Sequence, residues 1–210
     1  MDSKTVCRIL SVNLKHNFLP HLFLALVIVF FTPIIFGISS LNEREAAQPL
    51  EKLLSLTGTI LLTPIFLPEQ NENIRDLIRS KRIDYLAVCF IRLLYSLFFL
   101  AVIFGIFTLI MHNSESEITI RHFIGGYASA LFIGALGFFS AGISRNFVIG
   151  YMISMIYYIA NFAMKDELKN LYLFSMSAGS FHEKYWLLGS SALLFVITFV
   201  LLKATNVQKS

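Results

Sequence analysis

The sequence predicts an all-α polytopic membrane protein. It reads as a single transmembrane domain over 1–210, with six transmembrane helices, an amphipathic interfacial helix before them and both termini in the cytoplasm. Three observations carry this prediction. Of 210 residues, 56% are hydrophobic and only 14% are charged, and the mean hydropathy is +0.71; a soluble domain is about a quarter charged. The apolar residues gather into six runs that meet or approach the ~20 residues of helix needed to cross a bilayer core. None of the runs alternates with the period of a barrel strand, so their backbone polar groups must be satisfied within helices.

The spans are expected near 18–38, 50–67, 86–111, 122–143, 147–164 and 185–202. The first, FLPHLFLALVIVFFTPIIFGI, holds His21 near its start and Pro33 within it. Its length, and the lack of a small-residue cleavage site before a soluble domain, read as a span and not a cleaved signal peptide. Glu51 and Lys52 mark the entrance to the second. The third is interrupted only by Arg92, about 9 Å of helical rise from its start. There the side chain can snorkel to the interface or pair with a neighbouring segment. The fourth places Gly126, Ala130 and Gly134 four residues apart, a spacing that lets two membrane helices approach closely. Asn161 is a polar feature of the fifth.

Ahead of the first span, residues 4–18 repeat an apolar residue every fourth position at Val6, Leu10, Leu14 and Phe18, with Lys4, Arg8, Ser11 and Lys15 opposite. That pattern fits a helix lying in the membrane interface. Six spans leave both termini on one side, and the distribution of Lys and Arg chooses the cytoplasm. Lys4, Arg8, Lys15, Arg75, Arg79, Lys81, Arg82, Arg145, Lys203 and Lys209 then lie inside, against Arg44, Lys52, Arg121, Lys165, Lys169 and Lys184 outside. The outer loops also carry Glu43, Glu45, Glu51, Glu115 and Glu117. The outer segment before the sixth span contains LYLF. Leu168, Leu171, Tyr172 and Ser175 there are expected in a short helix at or dipping into the outer leaflet, with Tyr172, Tyr185 and Trp186 as interfacial anchors.

The residue pattern argues against several chemistries. His16, His21, His112, His122 and His182 never fall four residues apart, and no GxSxG occurs, so the spacings of an intramembrane metalloprotease or a serine hydrolase are missing. No glycine is followed by lysine, so the P-loop that would cradle ATP phosphates is lacking, and if the protein works with ATP another polypeptide binds it. Cys7 and Cys89 are isolated and read as reduced packing residues. No ionisable relay crosses the spans, which gives ion-coupled transport little support. Nothing points to nucleic acid, metal or a bound cofactor.

Between spans two and three lies PEQNENIRDLIRSKRIDY, 68–85, a charged stretch in an otherwise apolar chain. Ile74, Leu77 and Ile78 form an i, i+3, i+4 apolar edge, and Arg75, Asp76, Arg79 and Arg82 occupy the rest. Such a helix can lie on anionic lipid or seat its ridge in a groove of a soluble partner.

An N-terminal amphipathic helix, six spans, an outer segment that dips before the last span, and an inner helix opening on Glu with an apolar–x–x–Leu–Leu ridge together resemble the type-2 class of ABC transporter permeases. Here the inner helix reads EQNENIRDLIRSKR, with Glu69 or Glu72 at the acidic start and Lys81 or Arg82 after the ridge. Glu72-Asn73 replaces the family's usual Gly-Thr, and its Pro after the ridge is missing. The resemblance implies a coupling helix over 70–82. Ile74, Leu77 and Ile78 would dock in the ATPase subunit, with Glu69, Glu72, Arg75, Asp76 and Arg79 setting charge complementarity. It further implies a multi-pass permease in the bacterial plasma membrane, one half of a homo- or heterodimer. ATP and Mg²⁺ would be held by a separate ATPase, and this chain would be no enzyme. The expected role is export, and an amphipathic peptide, drug or lipid suits the Phe-rich interior. A stand-alone membrane immunity or accessory protein is the alternative.

Overall fold

The computed structural model describes residues 17–70 and 85–207, and every regular element among them is helical. Five helices are long and apolar enough to cross a membrane: α1 (Leu19–Phe36), α2 (Glu43–Pro68), α3 (Tyr85–Asn113), α4 (Ile120–Ser144) and the 182–204 part of α6 (His182–Val207). Between α4 and α6, α5 (Phe147–Ala163) is also apolar and has 17 residues. Of the interfacial helix expected over 4–18, only Asn17 and Phe18 are among the described residues. The segment 71–84, with most of the expected coupling helix, lies outside them.

α2 and α4 form the interior. Their apolar windows are 78% and 72% buried, against 11% for α1, 33% for α3 and 22% for α6. Small residues let these two backbones meet. A Cβ added to Gly58 would sit 1.9 Å from Ala130 O, and one added to Gly134 would sit 2.6 Å from Gly58 O. Gly126, on the same stripe of α4, faces Phe104 of α3 and Leu50 of α2. Close van der Waals contact of this kind is what holds helices together where lipid removes the hydrophobic drive between them. Leu50, Leu54, Leu61, Leu62, Phe104 and Phe138 fill the space around the crossing. The perimeter is apolar, with Phe23, Phe30, Ile34, Phe98, Leu109, Ile156, Ile159, Val196 and Val200 all exposed, which is compatible with a lipid solvent.

α2 begins at Glu43, before the expected start near 50. Asn42 Oδ1 accepts the Glu45 N–H at 3.0 Å, and the Glu45 carboxylate accepts the Asn42 N–H at 3.4 Å. This reciprocal cap starts the helix inside what reads in sequence as a charged outer loop. α2 is also irregular. Residues Pro49–Leu54 form a π turn, and Thr63–Gln70 tighten to a 3-10 helix. Pro49 has no N–H to give Glu45 O, which interrupts the α ladder where the π turn starts.

The prolines at the other end act in the same way. Pro64 cannot donate to Ile60 O, and the Tyr151 hydroxyl of α5 donates there at 3.4 Å. Pro68 cannot donate to Ile65 O in a 3-10 turn, and Arg92 Nη1 of α3 donates there at 2.9 Å. Arg92 is buried at 4% exposure and holds a neighbouring helix's backbone.

Candidate functional site

The chain between α5 and α6 does not remain at the surface. After a short helix at Lys165–Leu168 and a single 3-10 turn, residues 173–176 enter the bundle and are buried. The chain then reverses through turns closed by Ala178 N–H to Ser175 O and Gly179 N–H to Met176 O, at 3.1 and 2.8 Å. Gly179 adopts φ +90° with the Arg44 guanidinium over its open face, a position that a Cβ would strain. The expected short helix over Leu168, Leu171, Tyr172 and Ser175 is thus only a beginning: Ser175 lies in the hairpin, inside the protein.

Irregular backbone in an apolar bundle needs partners for its N–H and C=O groups. Four helices supply them through side chains. From α5, the Tyr157 hydroxyl donates to Leu171 O at 2.5 Å, and Asn161 Oδ1 accepts the Leu173 N–H at 2.8 Å. From α2, the two oxygens of Glu51 accept the N–H groups of Met176 and Ser177 at 2.8 and 2.9 Å. From α6, Lys184 Nζ donates to Leu173 O. From α4, Ser129 Oγ lies 3.1 Å from the same carbonyl.

At the centre of this network is an ion pair. Lys184 Nζ lies 2.5 Å from Glu51 Oε1, and the side chains are 3% and 0% exposed. Lys184 Nζ also donates to Ser129 Oγ at 2.7 Å, so the three donors of the ammonium have three acceptors: Glu51, Ser129 and Leu173 O. The carboxylate in turn takes three donors. An isolated charge would be very costly at this depth, and pairing with full hydrogen bonding offsets that cost. Lys184 Nζ is thus shared among Glu51, Ser129 and Leu173 O, and the Glu51 and Lys184 side chains are sealed from solvent.

Around this node the walls are tight. A Cβ on Gly125 would meet Met176 Sδ at 2.3 Å. Tyr158 of α5 donates to Lys52 O, next to Glu51. His122, fully buried, accepts the Thr119 N–H at Nδ1 and reaches Glu43 O with Nε2 at 3.0 Å. The N-terminal turns of α2 and α4 are thereby tied together beside the hairpin.

Of the residues singled out in the sequence, Gly126, Ala130 and Gly134 line the α2–α4 contact next to this site. Glu69 falls in the last turn of the 3-10 segment. Glu72, Ile74, Arg75, Asp76, Leu77, Ile78 and Arg79 lie outside the described residues. In the sequence Glu51 and Lys184 read as outer-loop charges, and Ser129 carries no distinguishing mark. The local signal is that Leu54 follows Glu51, and Leu187 and Leu188 follow Lys184, at helical spacing, so each charge shares a helix face with apolar residues. No group of His, Cys, Asp or Glu among the described residues is arranged to hold a metal ion. No protein-family model, curated protein or solved structure matches the chain.

Proposed function

We propose that this chain is the membrane-spanning permease subunit of an ABC exporter of the type-2 class. It crosses the bacterial plasma membrane six times with both termini in the cytoplasm, and it works as half of a permease dimer. The observation that carries this reading is the hairpin between α5 and α6, which turns back into an otherwise helical bundle immediately before the last span. Two further features support it. The six apolar helices follow in the order the family requires, and the 17 residues of α5 meet the lower limit of about 17 for a span. The charged segment 69–82 follows directly on the inner end of α2, so a force applied there reaches the most buried helix of the bundle.

In this reading the permease carries out no chemistry. A separate ATPase binds ATP and Mg²⁺, docks on Ile74, Leu77 and Ile78, and moves α2 when it closes. The cargo is an amphipathic peptide, drug or lipid. The test is co-purification with the products of neighbouring genes. The wild-type chain should bring down a P-loop ATPase, and Leu77→Asp should lose it while still inserting into the membrane. A chain that purifies without any ATPase points instead to a stand-alone immunity or accessory protein.

A further inference from the structure

The Glu51–Lys184 node has more in it than a fixed support requires. A buried ion pair contributes little net stability compared with well-packed apolar side chains of similar volume, and its best-attested use is to set a register or operate a switch. An ionisable residue inside an apolar bundle points the same way. Glu51 moreover sits within the π turn Pro49–Leu54, not in regular helix. A π turn carries one more residue than an α turn. Its conversion to α-helix rotates the preceding part of α2 by about 100° about the axis. Glu51, the third of the turn's six residues, takes part of that rotation, and its carboxylate leaves Lys184, the Met176 N–H and the Ser177 N–H together.

We propose that the Glu51–Lys184 pair is a conformational latch. It holds the 173–177 hairpin shut against α2, α4 and α6, and conversion of the π turn to α-helix releases it. The carboxylate is the part that grips. It accepts two consecutive hairpin N–H groups, while Lys184 holds the Leu173 carbonyl on the other side. Ser129 completes the ammonium's shell, so its loss loosens the latch without leaving a charge unpaired. The hydroxyl of Ser175, 1% exposed and with no hydrogen-bond partner among the described residues, lies inside the closed hairpin and can be exchanged for a thiol of similar size. This latch follows from the geometry of the node and is independent of the transporter reading.

The experiment uses the full chain in permeabilised membrane vesicles, with Cys7→Ser, Cys89→Ala and Ser175→Cys, and reads the rate of labelling by a small maleimide. The parent should label slowly. Lys184→Met, Glu51→Gln and deletion of Lys52, which removes the extra residue of the π turn, should each label at least tenfold faster. Ser129→Ala should label a few-fold faster at normal abundance. The charge exchange Glu51→Lys with Lys184→Glu should stay fast, because an ammonium at position 51 cannot accept the Met176 and Ser177 N–H groups. Equal labelling across the set overturns the latch. So does restored protection in the charge exchange. If the single-charge variants fail to accumulate, Ser129→Ala decides alone, and labelling at the parent's rate overturns the proposal.

Discussion

Lys184 Nζ, at the start of the last helix, lies 2.5 Å from Glu51 Oε1 in the second helix, and both side chains are closed off from solvent. Between them runs a hairpin whose backbone neither helix could satisfy alone. Removing one charge leaves the other buried without its partner, which costs about 3–5 kcal/mol, whereas replacing both with apolar groups can be close to neutral. Lys184→Met should therefore destabilise the protein strongly in detergent unfolding followed by Trp186 fluorescence. Glu51→Leu combined with Lys184→Met removes the unpaired charge but still strands the Met176 and Ser177 N–H groups, so it should recover only part of that loss.

The α2–α4 crossing makes a sharper steric prediction. Gly58→Ala drives a methyl group into the Ala130 carbonyl, which is backbone and cannot swing away. Overpacking of this kind costs about 1–3 kcal/mol, occasionally more. Gly189→Ala is the control, because a Cβ there meets nothing within 4 Å, and exchanging Gly for Ala in a helix should gain up to about 1 kcal/mol. Parallel thermal melts of the two variants should move in opposite directions.

α5 grips the hairpin through neutral hydrogen bonds, so its variants should be milder. Tyr157→Phe removes one donor to Leu171 O and should cost about 1 kcal/mol. Asn161→Leu strands the buried Leu173 N–H and should cost about 1–3 kcal/mol. Hydrogen exchange at Leu173 should quicken in the second variant and stay near wild type in the first.

How far the sequence reveals this depends on the residue. The apolar runs locate α1, α3, α4, α5 and α6 to within a few residues, because each helix is a continuous apolar stretch. The stripe Gly126, Ala130 and Gly134 is visible for the same reason: only small residues permit close backbones. Charges are harder to place. Glu43, Glu45 and Glu51 all read as outer-loop residues, yet Glu45 caps α2 and Glu51 is buried within it. The apolar neighbours of Glu51 hint at burial but not at what holds it, since Lys184 and the N–H groups it binds lie more than a hundred positions away in the chain. Arg92 is visible as an oddity, but its acceptor becomes clear only when Pro68 is seen to leave Ile65 O without that donor.

Arg92 yields the next prediction. A hydrogen bond from a charged donor to a buried carbonyl is worth about 1.5–3 kcal/mol, and Arg92→Leu should lose at least that much. Arg92→Lys keeps the charge but not the planar fork and should fall between wild type and the leucine variant. Urea or detergent titration of all three provides the ordering.

Docking of the segment after α2 on an ATPase, as proposed, can be read by cross-linking from position 77. A photoreactive residue replacing Leu77 would be activated in native membranes from cells expressing the neighbouring genes, and the adducts identified by mass spectrometry. The predicted result is one dominant adduct to a P-loop ATPase, lost when that ATPase is absent. Adducts to lipid alone, with the ATPase present in the same membranes, would contradict the account.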